Sequence, residues 1–445
     1  MRWILLLLLA LPLLGCPDGD DDDSADDDDS ASVDDDDDAA DDDDTTDDDD
    51  DAADDDDAAD DDDAADDDDA VDDDDAANDD DGVDDDDSAD DDDSAANGDD
   101  DDSSVGDDDD SAQPQISIGE LCFPDRQPDP NDPTIVAGPD YDQFNPVVGS
   151  HCMGTNHQDI AGVDRVVFVG DSVTVGVPSL GLDLSSWGLP AGAGTPSSAF
   201  YRTLVANELA SDFFLAAPAG GWELVDLING VTLMQESNDF ASCAKWGARN
   251  DDILGPPHMQ LQTCIPEAQR GVSNLVVMTS GSNDLANMTQ AAIDGATELD
   301  LIAQSQQIVD EFEAGIAWLK NPSNFTAPQF VVFANMYEFT DGTGEIGSCP
   351  AAGLAGFDSP PPDPDMLAEQ VVWIQEQYMR IAVEQGADMI FMLESFCGHG
   401  WNNDNPAARC YLGPGTPRWF DITCTHPNVE GHQAIADMFL AVVAE

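Results

Sequence analysis

Basic residues are almost missing from this chain: 11 Lys and Arg stand against 100 Asp and Glu in 445 residues, a formal charge of −89. That scarcity removes the basic patch that nucleic-acid phosphates require, so DNA and RNA are excluded as partners. Long apolar runs are missing too. The longest lies near the N-terminus at about eleven residues, short of the ~20 that span a bilayer. No two cysteines stand in CxxC spacing and no histidine sits close to one as a zinc ligand would, so neither metal nor cofactor is expected. From Asp18 to Ala112 there is no aromatic residue at all, and nothing there can seed a core.

What fills that stretch is aspartate. Between Asp18 and Asp110 lie 58 Asp and no Lys or Arg, in repeats such as "DDDDAA" and "DDDDSA" with a period near six. Self-repulsion and the lack of apolar burial predict a disordered, stretched tether over 16–112. At ~3.3 Å per residue its reach is at most on the order of 300 Å. Defined calcium sites need glycine-shaped loops that gather oxygens around one ion, and glycine is scarce here. Loose association with divalent cations is the expectation. Outside the tract, 42 acidic residues still face 11 basic ones.

The first residues, "MRWILLLLLALPLLGC", carry one positive charge, then an apolar run, then a small residue and a cysteine, which is the layout of a secretion signal. "LLGC", Leu13 to Cys16, resembles the lipobox of bacterial lipoproteins. The resemblance implies that residues 1–15 are removed and that Cys16 is acylated, tying an exported protein to the cell envelope, at the outer membrane or cell surface. Several acyl chains at ~0.8 kcal/mol per buried methylene make such an anchor durable. The alternative is an ordinary cleaved signal with an incidental cysteine. Eight cysteines remain, and an even number in an exported chain reads as disulfides. The pairs near in sequence, Cys243 with Cys264 and Cys410 with Cys424, are preferred.

A Pro-rich lead-in at 113–163 is expected to pack on a domain at 164–445. From Asp164 onward, short apolar runs alternate with amphipathic stretches, the pattern of a parallel sheet covered by helices. Strands are expected at 165–170, 213–219, 274–281, 329–337 and 388–396. Helices are expected near 196–211, 222–235, 298–320, 364–385 and 428–443, with loop insertions at 236–272 and 338–363. The predicted fold class is α/β, a three-layer α/β/α arrangement with a five-stranded parallel sheet.

In such a sheet, ligands bind beyond the carboxyl ends of the strands. Small polar clusters fall there: "GDS" at 170–172, "AGGW" at 219–222, "GSND" at 281–284, and "DITCTHPN" at 421–428 near the chain end. Singly, each has a plain structural reading: a turn after a strand, a common turn, or a helix start capped by Asn428. Together and in this order they resemble the SGNH hydrolases, also called GDSL-like esterases, over about 280 residues. The resemblance implies a flavodoxin-like fold, Ser172 as nucleophile and His426 as its base. It also implies an oxyanion hole formed by the Ser172 N–H, the Gly221 N–H and the Asn283 side chain. Gly220 competes with Gly221, which better fits the spacing to Asp226. The chemistry suits the residue types, because a serine hydroxyl needs a base to take its proton as it attacks, and the oxyanion needs donors fixed in advance.

One position departs from the family pattern. The acid that orients the histidine usually stands three residues before it, where this chain has Thr423; Asp421 lies five before. Either a local bulge brings Asp421 to the imidazole, or a backbone carbonyl holds the ring and a Ser-His dyad operates. His151 and His157 are read as structural, with a cleft-lining role as the alternative. His432 is expected to pack on the last helix, His258 and His399 show no ligand partner, and Trp222 is left between pocket and core. The resemblance implies a lipid-anchored serine esterase acting on a small-molecule or glycan ester, with O-acylated carbohydrate or short-chain esters preferred. The alternative is a catalytically inactive surface lipoprotein whose acidic tether gathers cations or partners.

Overall fold

In the computed structural model, residues 117–124, 138–176, 195–220, 222, 235–355, 357 and 359–445 are described. The expected signal segment, Cys16, the aspartate tract, Gly221 and most of the helix expected at 222–235 lie outside them.

Strand β1 (Arg165–Gly170) is buried along its whole length. Its run Val166–Val169 sends Val167 and Val169 into one apolar core and Val166 and Phe168 into another. A strand covered on both faces has no solvent side to mark with polar residues, which is why it reads as a continuous apolar run. Strands β2 (Gln235–Ser237), β3 (Phe240–Ser242), β4 (Asn274–Thr279), β5 (Gln329–Ala334) and β6 (Asp388–Ile390) complete one sheet in the order β2-β3-β1-β4-β5-β6. All neighbours pair in parallel except β2 with β3.

The expected five-stranded all-parallel sheet is therefore corrected to six strands with an antiparallel edge. The segment at 213–219, expected as the second strand, is not one. Its backbone is held by side chains of the β2-β3 hairpin instead: Ala216 N–H donates to Asp239 (2.7 Å), Ala219 N–H to Ser237 (2.8 Å), and Asn238 Nδ2 to Ala217 O (2.7 Å). Pro218 has no N–H to offer a ladder. The strand beside β1 is β3, within what was expected to be a loop, and its hairpin turns through Asn238 at φ 56°, a conformation Asn tolerates. The strand expected at 388–396 ends at Ile390, and a short helix follows at Met392–Phe396.

Helices α1 (Ser172–Val175), α2 (Tyr201–Asp212), α3 (Ser282–Ile293), α4 (Glu298–Lys320), α5 (Pro364–Gln385) and α6 (Val429–Ala444) supply the outer layers. Their ends are written in the sequence. Thr297 and Asp300 form a capping box on α4, Asp363 caps α5 with Pro364 in its first turn and Gly386 beyond its end, and Asn428 caps α6. On one face, Phe312 of α4 stacks on Tyr378 of α5 at 4.0 Å and meets Phe333 of β5 edge-on at 4.9 Å. On the other, Tyr201 of α2 stacks on Phe439 of α6 at 5.5 Å. Trp222 lies in this second core, 5% exposed, beneath Arg202 and beside Phe168. The lead-in covers the β6 edge: Gly154 bridges Ile390, His157 Nδ1 contacts Ala387 O at 2.8 Å, and Tyr141 stacks on Phe391.

Four disulfides join Cys122–Cys152, Cys243–Cys264, Cys349–Cys424 and Cys397–Cys410, a density that fits an oxidising compartment. The expected Cys410–Cys424 pair is not among them. Cys424 is buried against Cys349 in a small core under the 338–363 insertion, while Cys410 closes a 13-residue loop to Cys397. Among the described residues no helix is long and apolar enough to cross a membrane, and no cluster of side chains could hold a metal ion.

Phe312 fills the junction of α4, α5 and the sheet, so Phe312→Ala is expected to cost about 3–5 kcal/mol of stability, measured by urea unfolding with the disulfides intact. A loss below about 1 kcal/mol would show that this core is loosely packed.

Candidate active site

The chain must turn sharply where β1 ends. Gly170 has φ 136°, and a β-carbon there would lie 1.9 Å from Thr279 O, so only glycine fits. Asp171 then caps α1 by accepting from Val173 N–H (2.9 Å), and Ser172 becomes the first residue of that helix. Thr174 Oγ1 pins the turn to the neighbouring strand and to α2, at 2.6 Å from both Thr279 Oγ1 and Tyr201 OH. Burial pushes the Asp171 carboxyl up to about 7, against the hydrogen bonds it accepts.

His426 comes from the far end of the chain, inside the loop closed by the small bridge Phe420–Pro427 and just before the cap of α6. Its Nε2 stands 2.8 Å from Ser172 Oγ, across 254 residues of sequence, with both residues buried. On the other side of the ring, Nδ1 lies 2.7 Å from Thr423 Oγ1, which lies 2.5 Å from Asp421 Oδ1. The Thr423 backbone N–H donates to the same oxygen at 2.8 Å. Neither arrangement expected for Asp421 is found: the carboxylate reaches the imidazole through the hydroxyl of Thr423, at the position where the sequence departs from the family pattern.

The direction of this chain of hydrogen bonds follows from proton counting. An ionised carboxylate only accepts, so the Thr423 hydroxyl donates its one proton to Asp421 and must accept from His426 Nδ1–H. Nε2 is then bare and accepts the Ser172 hydroxyl proton. Burial raises the Asp421 carboxyl to about 6, offset by its two Thr423 hydrogen bonds, and burial alone lowers His426 to about 4. At neutral pH the carboxylate is charged and the imidazole neutral. Such a set can take a proton from a hydroxyl and stabilise the imidazolium that results.

Beside Ser172 the backbone is arranged by pairing. Gly170 of β1 is in register with Thr279 of β4, so the turn into α1 and the turn into α3 stand on adjacent strand ends. Asn283 is the second residue of α3, and its Nδ2 donates to Ala248 O at 2.8 Å. The segment after β3 runs on along β1: Cys243 N–H donates to Phe168 O and Lys245 N–H to Gly170 O, both at 2.9 Å, while Trp246 Nε1 donates to Gly176 O at 3.3 Å. Gly247 lies between these anchors with φ 76°, and among the described residues its N–H meets no acceptor. Gly221 is outside the described residues. Gly247 drew no notice in the sequence because no strand was expected before it. The available signal was a glycine five residues past "FAS", beyond the end of a strand that does neighbour β1.

The remaining histidines are accounted for structurally. His432 is fully buried and accepts from Tyr201 N–H (3.3 Å), His399 stacks on Trp419 at 3.7 Å, and His157 accepts from Val147 N–H (3.1 Å). His151 pairs with Glu445 at 2.9 Å, and His258 lies between Lys245 and Asp252.

No protein-family model and no curated protein matches the sequence. Solved structures do. The chain is similar to a gut microbial diltiazem-metabolizing enzyme, at 13% identity and a TM-score of 0.37, over 65% of this chain and 49% of that one. It is similar to a lipase from a goat rumen metagenome at 14% identity and a TM-score of 0.34, over 62% and 96% of the two chains. A Slackia heliotrinireducens protein, named for SGNH hydrolases, matches at 12% identity and a TM-score of 0.31 over 64% and 100%. The chain spans about half the length of the first of these.

Because burial destabilises the imidazolium, His426 is expected to stay neutral down to about pH 4. Imidazole NMR signals followed from pH 8 to 5 should show no titration of this ring, and a midpoint near the ordinary histidine value would contradict its burial.

Proposed function

We infer that this chain is a serine hydrolase of the SGNH type that cleaves carboxylic esters through an acyl-enzyme on Ser172, exported and held at the cell envelope by a lipid on Cys16. One observation carries the reading: the 2.8 Å contact between Ser172 Oγ and His426 Nε2, inside a buried site at the carboxyl ends of β1 and β4.

As Ser172 Oγ attacks the ester carbonyl carbon, its proton passes to His426 Nε2. The carbonyl oxygen becomes an oxyanion, met by the Ser172 N–H, the Gly247 N–H and the second Nδ2 proton of Asn283. The first Nδ2 proton, bound to Ala248 O, fixes the direction of the other. Collapse expels the alcohol, which takes the proton from His426, and leaves Ser172 acylated. Water then attacks the acyl carbon, gives its proton to His426, and the acid departs as Ser172 recovers the proton. Throughout, Nδ1–H stays on Thr423, and the charge of Asp421 stabilises the imidazolium through that hydroxyl. With basic residues so few, a polyanionic ester is disfavoured as substrate, because like charge lowers its encounter rate.

Ser172→Ala is expected to abolish hydrolysis of p-nitrophenyl esters and labelling by a fluorophosphonate; residual labelling at another serine would end this reading. Asn283→Ala should lower kcat by roughly 10²–10³, the effect of losing one oxyanion donor.

The relay makes a sharper prediction. Thr423→Val removes the link and should lower kcat at least tenfold with little change in KM, while Thr423→Ser keeps it and should stay within a few-fold of wild type. Asp421 has a raised pKa, so activity is lost as pH falls through about 6. In Asp421→Asn, at least tenfold slower, that acidic limb should move down toward the His426 value of about 4. Equal activity of the Val and Ser variants, or an unmoved limb, would remove Thr423 from the mechanism.

A further inference from the structure

A cavity of about 400 Å³ lies between α3 and the first turns of α5, under the 337–361 segment and against the Cys397–Cys410 disulfide. Its size is that of a small-molecule site. The walls are mainly apolar, with Leu285, Phe339, Phe357, Leu367, Val371 and Leu393 prominent. Three charged side chains reach it, Glu338, Glu394 and Arg409, and each also contacts the protein. Glu394 accepts from Asn335 Nδ2 (3.1 Å), Glu338 accepts the Thr340 N–H, and Arg409 lies in the field of Glu338 and Asp365. The cavity thus offers no basic face to an anion, and its apolar walls suit an apolar group.

Its position ties it to Ser172 and His426. Tyr337, in its wall, donates its hydroxyl to Thr425 O at 2.5 Å, one residue before His426. Phe339 packs on Phe420, and the Cys349–Cys424 bond fixes the covering insertion to the loop that carries Thr423. Ala286, in the opposite wall, is one helical turn past Asn283, a separation of ~5–6 Å between β-carbons. An ester whose carbonyl sits between Ser172 and Asn283 has two substituents. The leaving oxygen must face His426 Nε2 to receive its proton, and the acyl group is left to run along α3.

We propose that this cavity takes the acyl chain of the ester and that the substrates carry apolar acyl groups larger than acetyl. The proposal rests on the esterase reading of Ser172, and its test separates the two. Ala368 lines the cavity from α5, whereas Asn283 belongs to α3 and is not in the lining, so Ala368→Trp is the substitution chosen to fill the space.

With the full chain, p-nitrophenyl octanoate should exceed p-nitrophenyl acetate in kcat/KM at least tenfold, and Ala368→Trp should reduce that ratio at least tenfold. Acetate esters of lengthening alcohols should keep their relative rates in the variant. In parallel, cis-parinaric acid should bind the Ser172→Ala protein saturably, and Ala368→Trp in that background should weaken binding at least tenfold. Val372→Phe serves the same purpose should the tryptophan variant not fold. Parinaric binding that survives both fillings overturns the cavity proposal, as does a filling that changes the alcohol series and spares the acyl series. Binding that responds to the fillings in a wild-type chain that hydrolyses no ester leaves the cavity as an apolar-ligand site and refutes the esterase reading alone.

Discussion

The site depends on one steric fact: at the end of β1 there is no room for a β-carbon. Gly170 lies so close to Thr279 O that the central strand pair β1-β4 can stay in register to its last residue and still turn at once into α1. Any side chain there would push the strands apart where Asp171 N–H, Thr174 Oγ1 and Thr279 Oγ1 hold the turn together. The same pairing sets α3, and with it Asn283, on the neighbouring strand end. Gln260 adds to this from below, exchanging two hydrogen bonds with the Gly170 backbone at 2.8 and 3.0 Å. The turn that carries Ser172 is therefore positioned by backbone geometry, and side chains only secure it.

The histidine side of the site is held differently. Its loop has no regular secondary structure, yet Asp421 N–H donates to His426 O at 2.9 Å and Cys424 adopts φ 77°, closing a tight turn around Thr423. That turn leaves too little length for the Asp421 carboxylate to lie against the ring, and the threonine hydroxyl spans the gap. A hydroxyl can transmit the preference of a carboxylate because it has one proton: whichever neighbour cannot donate receives it, and the other must supply its own. The tautomer of His426 is set at one remove, on condition that Asp421 is charged. Thr423 acts as a positioning residue here, since its influence on Ser172 passes entirely through the imidazole.

Much of the fold was legible where burial leaves a plain mark. β1 and β4 are apolar on both faces and could only be central strands, and α4 and α5 carry caps and an apolar stripe along their whole length. The second strand was not legible. "FFLAAPA" is the more apolar segment, but Phe214 lies 94% exposed and Pro218 cannot join a ladder, while the true strand, Phe240–Ser242, is three residues long and follows a polar turn. A strand this short gains its place from pairing with β1, which no local pattern records. That miss also hid Gly247, which follows β3, since the search for a glycine at a strand end began from 213–219; Gly221 itself lies outside the described residues. Thr423 was visible as an anomaly, but its use required knowing that Asp421 folds back onto it. The cysteine pairing shows the same limit: Cys243–Cys264 follows from short separation, and Cys349–Cys424 depends on where an insertion lands.

The scarcity of basic residues bears on the surface as well as on partners, because the few cations are largely committed inside. Arg165 donates to Cys264 O at 3.0 Å from a buried position; Arg202 is fully buried over the Trp222 ring and donates to Ser242. Lys320 donates to Gln158 at 2.6 Å, and burial lowers its pKa to about 8. Arg270 and Arg418 lie over Trp318 and Trp401, and Arg380 is shared between Glu313 and Glu384. Long cationic side chains are spent on packing and on carbonyls, leaving a surface whose field comes almost wholly from carboxylates. Such a field discriminates by charge before any contact forms, since repulsion lowers the encounter rate of anions over roughly a Debye length, ~8 Å at physiological salt. Neutral molecules are unaffected by it, so any selection among them must come from contact, for which the apolar walls of the cavity between α3 and α5 are suited.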